Sequence, residues 1–155
     1  MIKPHGSDEL NPLFVYDSAE NDALHHEAES LPSIIVSSAT AANAVMLGAG
    51  YFNPLTGYMN KADALSVATD MKTSSGLFWP TPVLNLVEDA GTIKAGDRIA
   101  LRDPNVEENP ILAVMDVEAV EEFTDDEMAM MTDKIYRPNE GEAHPGVDAF
   151  NAQGK

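Results

Sequence analysis

The sequence predicts an α+β fold: a mixed or antiparallel, barrel-like sheet with several flanking helices. Three observations carry this. Side chains suited to helix capping stand before stretches of helical periodicity at Asp17, Asn60 and Thr124, with Ser37 or Ser38 in the same role. After Gly76 the apolar pattern changes to period two, which belongs to extended chain. At 155 residues the chain makes one domain that buries roughly two-thirds of the surface its unfolded form exposes, enough to dispense with staples.

Taken in order, residues 1–11 form an extended arm, since Pro4, Gly6 and Pro12 interrupt regular structure. Leu13 to Tyr16 is a short apolar run read as a strand. Asp17 with Glu20 resembles a capping box, and the helix it opens runs to about Glu29, stopped by Pro32. Ser33 to Val36 is β-branched and short, a buried strand. A helix of small residues covers Ala39 to about Leu47, ended by Gly48 and Gly50. Asn60, with Asp63 at the third helical position, opens another helix to about Lys72. Pro82 to Val87, Arg98 to Leu101 and Ile111 to Val120 read as strands of an antiparallel sheet or small barrel. Thr124-Asp125-Asp126-Glu127 is a capping box for a helix to about Ile135, with Met128, Met131 and Ile135 facing inward. The domain is read as 1–136. Residues 137–155 are rich in Pro and Gly and read as a connection toward a further domain.

The stretch Gly48 to Asn60, GAGYFNPLTGYMN, joins two of these helices. Asn53-Pro54 starts a turn, and Gly57 supplies backbone freedom. A loop that commits Tyr51, Phe52, Leu55, Tyr58 and Met59 is expected to be packed on the core.

Nine basic against 26 acidic residues give a net charge of −17. Such a surface repels phosphate backbones and anionic lipid, which argues against nucleic-acid and membrane partners. It reads as a solvated acidic coat, suited to a saline habitat, or as a face for cations or a basic partner. The acids are spread, which favours the coat. Zero cysteines exclude disulfides and thiolate metal sites. No signal peptide and no run of about 20 apolar residues is seen, so a soluble, cytoplasmic protein is expected.

The residues carry no active-site pattern. His5, His25, His26 and His144 lack the spacing of a helical metal site. No serine sits in a nucleophile elbow, and no phosphate-binding glycine loop occurs. Glu107-Glu108 and Asp125-Asp126-Glu127 lack the alternation of a calcium loop. His144-Pro145-Gly146 is read as a turn, with contact to something beyond this chain as the alternative. No catalytic, cofactor-binding or metal-ligating residue is assigned.

Four motifs, in order, nevertheless resemble a family. Gly50 to Met59 resembles the G-x-F-S-P-L-x-G-F-M signature of ATP sulfurylases (sulfate adenylyltransferases). Asn53 stands where Ser or Thr is usual, and Tyr58 where Phe is usual. Gly76 to Val83 is similar to that family's G-x-x-W-P-x-P-V segment. Ile99 to Asp103 resembles its I-A-L-R-D strand, and His144 to Val147 its H-P-G-V turn. IKPHGS near the amino end is similar too.

The resemblance implies the amino-terminal PUA-like domain of such an enzyme, followed in the family by a nucleotidyltransferase domain with Q-x-R-N, H-x-x-H and G-R-D motifs. None of these occurs here. For the parent enzyme it implies that ATP and sulfate give adenylyl sulfate and pyrophosphate, or the reverse, with MgATP bound outside this chain. It further implies a domain that scaffolds its catalytic partner and is inactive alone. His144, Pro145 and Gly146 are the candidate interdomain contact, and a homo-oligomer is possible through the parent. The rival readings are a free-standing PUA-like module that binds RNA, which the charge opposes, and an interaction module that docks through the Tyr51 to Met59 loop or the His144 turn.

Overall fold

The computed structural model describes residues 2–136 and 144–155. Among these residues, five helices and three strands follow in the order α1 (Ser18–Ser30), β1 (Ser33–Ile35), α2 (Ser38–Gly48), α3 (Lys61–Asp70), β2 (Arg98–Arg102), β3 (Ile111–Asp116), α4 (Asp125–Tyr136), α5 (Pro145–Asn151). They fall into two compact units.

The first unit holds the described residues up to Tyr58 together with Ile93–Ala119. Its sheet is mixed, in the order β1-β2-β3. β1 runs parallel to β2, with Ser33 opposite Ala100. β3 runs antiparallel to β2, with Arg98 opposite Asp116 and an irregularity at Leu101/Arg102. The central strand shows no alternation because both its faces are covered: Ile99, Ala100 and Leu101 are all buried. Val36, Ala41, Ile99, Leu101 and Val117 form the core of this unit. α1 packs on β2 and β3, and α2 packs on β3. At the sheet surface the Arg98 guanidinium donates to Glu27 of α1 at 2.8 Å and to both carboxylate oxygens of Asp116 at 2.6 and 2.8 Å. These hydrogen bonds, Asp116 first, raise the arginine's pKa further above its ordinary value.

The second unit holds Met59–Thr92 and the described residues from Val120 onward. α4 packs against α3 and α5. Ala64, Leu84, Leu86, Phe123, Met128, Met131 and Phe150 form its core, with Ile135 packed against it.

The helix starts follow the local chemistry. Asp17, Ser37 and Asn60 each accept a backbone N–H from three residues on. Thr124 and Glu127 close a reciprocal box, the Thr124 amide donating to the glutamate at 2.7 Å and the Glu127 amide to the threonine hydroxyl at 3.2 Å.

Several expectations are corrected. Leu13 to Tyr16 is not a strand; the Leu13 and Phe14 amides both donate to the Gly48 carbonyl, at 2.8 and 3.0 Å. Pro82 to Val87 forms no strand and joins no ladder. Pro82 has no N–H to give, and the Val83 carbonyl accepts instead from the Met59 amide at 2.8 Å. The third strand stops at Asp116, short of Val120. α3 ends at Asp70, where Met71 takes a left-handed conformation (φ 52°), before the Thr73 to Gly76 stretch. Residues 145–151, within the Pro- and Gly-rich stretch for which no helix was expected, form helix α5.

Candidate functional site

In the first unit the loop after α2 and the amino-terminal arm are built against each other. α2 can end beside the arm because Gly48 has no side chain: a methyl there would collide with the Phe14 ring. Gly50 carries a positive φ of 76° and faces Pro12, where a methyl would come to 3.3 Å of the proline α-carbon. Gly57, expected to supply the special conformation, lies outside the left-handed region; Gly50 supplies it. The Asn53-Pro54 peptide is cis.

Asn53 is 6 % exposed and has three partners on the arm. Its amide nitrogen donates to the Ser7 hydroxyl at 2.6 Å and the His5 carbonyl at 3.4 Å. Its side-chain oxygen accepts from the Asn11 amide at 3.0 Å. Tyr58 donates its hydroxyl to the Thr40 carbonyl at 3.0 Å, and burial pushes this phenol well above the ordinary range. Phe52, Leu55 and Met59 are half-buried, so most of the loop is seated as expected. Tyr51 is the exception at 75 % exposed. Two more exposed rings of this unit, Phe14 and Tyr16, meet edge-on at 6.1 Å.

In the second unit the structure places His144, Pro145 and Gly146 at the start of α5. His144 and Pro145 are exposed. His144 is the N-cap, its Nδ1 accepting from the Gly146 amide at 3.0 Å. Pro145 occupies the first turn, where its missing N–H costs nothing. The His144 ring lies 5.1 Å from that of Tyr136, which also meets Phe150 at 5.8 Å. No local pattern around Tyr136 marks it for this role.

The remaining candidates are surface or structural. His25 and His26 stand on α1 at 3.8 Å from the Glu29 carboxylate. Met128 and Met131 are core. Glu127 is used in capping. Among the described residues no three His, Cys, Asp or Glu side chains come together to hold a metal ion, and no helix is long and apolar enough to cross a membrane.

Five cations are already engaged by this chain's own groups. Lys3 pairs with Asp8, Lys61 with Glu127, Arg98 with Glu27 and Asp116, and Lys155 with Asp125. Arg102 donates to Ser33 and the Asn109 carbonyl.

Comparison with known proteins agrees with this architecture. Residues 2–155 match the family model of a PUA-like domain. A sulfate adenylyltransferase of Allochromatium vinosum is 60 % identical over 155 residues, covering 100 % of this chain and 39 % of that protein. Another, from Alcanivorax borkumensis, is 56 % identical over 154 residues, covering 99 % of this chain and 38 % of that protein. This chain thus spans well under half the length of these curated relatives. Among solved structures, the hexameric APS kinase from Thiobacillus denitrificans superposes with a TM-score of 0.65 at 33 % identity, covering 79 % of this chain and 24 % of that one. The chain belongs to the PUA-like domain family, and within it is similar to the domain that sulfate adenylyltransferases carry.

Proposed function

We propose that this chain is the amino-terminal domain of an ATP sulfurylase, a scaffold for the catalytic domain that is inactive alone. The observation that carries the proposal is 60 % identity over the whole chain to a sulfate adenylyltransferase of which it spans only 39 %. The parent reaction joins sulfate to the α-phosphorus of ATP with release of pyrophosphate, or runs in reverse. It brings two polyanions together, and its catalysis rests on positioning and on cationic groups that neutralise charge. Four of its nine cations, Lys3, Lys61, Arg98 and Lys155, pair with its own carboxylates, and the chain carries a net charge of −17. MgATP and sulfate therefore bind elsewhere in the parent. His144, Pro145 and Gly146 contact the catalytic domain, and any homo-oligomer forms through the parent enzyme.

The test is an assay of the purified 155-residue chain for sulfate-dependent pyrophosphate release, with calorimetric titration of MgATP alongside. The expected result is no turnover and no nucleotide binding. Turnover, or saturable binding of MgATP by the isolated chain, overturns the reading.

A further inference from the structure

We infer that His144 is a proton-sensitive latch on α5: the neutral imidazole closes the start of the helix and the protonated one opens it. The hydrogen bond from the Gly146 amide to Nδ1, at 3.0 Å, requires an unprotonated Nδ1, so the ring is neutral with its proton on Nε2. Taking up a second proton turns both ring nitrogens into donors. No rotation or flip of the ring then offers an acceptor, and the Gly146 amide loses its partner. The new charge also stands at the end of α5 where helix N–H groups point outward, which opposes it. Histidine is the side chain whose ordinary titration falls between about pH 5 and 8.

Among the described residues the groups around the ring do not cancel this. α4 is the element packed against α5. It brings Tyr136, whose phenol is pushed further up by burial and stays neutral through this range. Asp133 stands one turn earlier on α4, and Asp148 lies in the first turn of α5. Among the described residues neither forms an ion pair with His144. A charged imidazole keeps its contact with the Tyr136 ring and recovers some energy there. That contact restores no acceptor to Gly146.

The rest of α5 is anchored independently. Phe150 is in the core, Thr132 donates to Asn151 at 3.1 Å, and Gly154 lies against the Val87 backbone with no room for a side chain. Protonation therefore frays the first turn and leaves the helix docked.

The experiment is amide hydrogen exchange and nitrogen-15 NMR on the 155-residue chain from about pH 8 to about pH 5, with His144→Asn as the companion. Asparagine keeps an N-cap acceptor and does not titrate. In the native chain, protection of the Gly146 amide, corrected for intrinsic exchange, is expected to fall roughly fivefold across this range. Phe150 protection stays constant, and Gly146 in His144→Asn is flat. A flat profile for native Gly146, or the same fall in His144→Asn, overturns the inference. So does an Nδ1–H tautomer at the alkaline end, a reading that needs no variant.

Discussion

The Asn53 side-chain amide donates to the Ser7 hydroxyl at 2.6 Å, across 46 positions of sequence, and this bond fastens the amino-terminal arm to the loop after α2. The same side chain accepts from the Asn11 amide, so one buried residue holds two points of the arm. Asn53→Ala leaves these partners without it and is expected to cost about 2 kcal/mol, measured as a fall in urea midpoint. Asn53→Asp is the sharper probe. It keeps an acceptor for Asn11 and loses the donor to Ser7, so Asn11 exchange stays slow while proteolysis near Ser7 rises. Asn53→Ser, the residue type usual in the resembling signature, is too short to reach both points and should loosen the arm as Ala does. An arm equally protected in all three variants would contradict the clamp.

Gly48 and Phe14 make a second arm contact, in which absence of a side chain is the requirement. A methyl at Gly48 would collide with the Phe14 ring. Gly48→Ala favours helix propensity locally, yet is expected to destabilise by about 1–3 kcal/mol through this overlap. Phe14→Ala opens the space, so the cost of Gly48→Ala should shrink in that background. A double-mutant cycle measures the coupling. Additive effects would mean the ring is free to move away.

How far the sequence reached depends on how local each cause is. The caps at Asp17, Ser37, Asn60 and Thr124 were legible because the partner is an amide within three residues. The strands Arg98–Arg102 and Ser33–Ile35 were both legible from their apolar runs, although their parallel pairing was not. Pro82 to Val87 looks like a strand because it is short and mostly apolar. What decides is whether a neighbour offers a ladder; among the described residues no strand pairs here, and the Val83 carbonyl accepts from the Met59 amide. α5 was missed because Pro145-Gly146 reads as a turn and histidine is outside the favoured cap set. Its stability comes from Phe150 in a core assembled from distant segments. The Asn53 clamp had no signal, since nothing near Ser7 marks it as the partner of a residue 46 positions away.

Met71 closes α3 in a left-handed conformation, φ 52°, with half its surface exposed. An L side chain pays for that geometry and glycine does not. Met71→Gly is therefore expected to stabilise the chain by about 0.5–1 kcal/mol, seen as a higher urea midpoint with an unchanged slope. Met71→Val, branched at Cβ, should do the opposite. Destabilisation by glycine would show that the methionine's packing outweighs its strain.

Lys61 joins the starts of α3 and α4, its ammonium 2.7 Å from the Glu127 carboxylate and 2.8 Å from the Glu122 carbonyl. The hydrogen bond from Lys61, then that from the Thr124 amide, hold the Glu127 carboxyl below its ordinary 4.5. The Asp125 carboxyl is held below 3.8 by Lys155 in the same way. A depressed carboxyl binds its proton more weakly in the folded chain than in the unfolded one. Its contribution is thus complete above the unfolded value and is lost as pH falls through the folded one. The urea midpoint is expected to drop as pH is lowered from about 5 to about 3. Glu127→Gln should lie below the native chain at neutral pH and converge on it at the acid end. Asp125 is open to solvent at 89 % side-chain exposure and Glu127 keeps 27 %, so the difference is small and screened. Salt at about 0.5 M should therefore narrow the gap between native and Glu127→Gln at neutral pH. A gap independent of both pH and salt would assign the glutamate's effect to packing instead of charge.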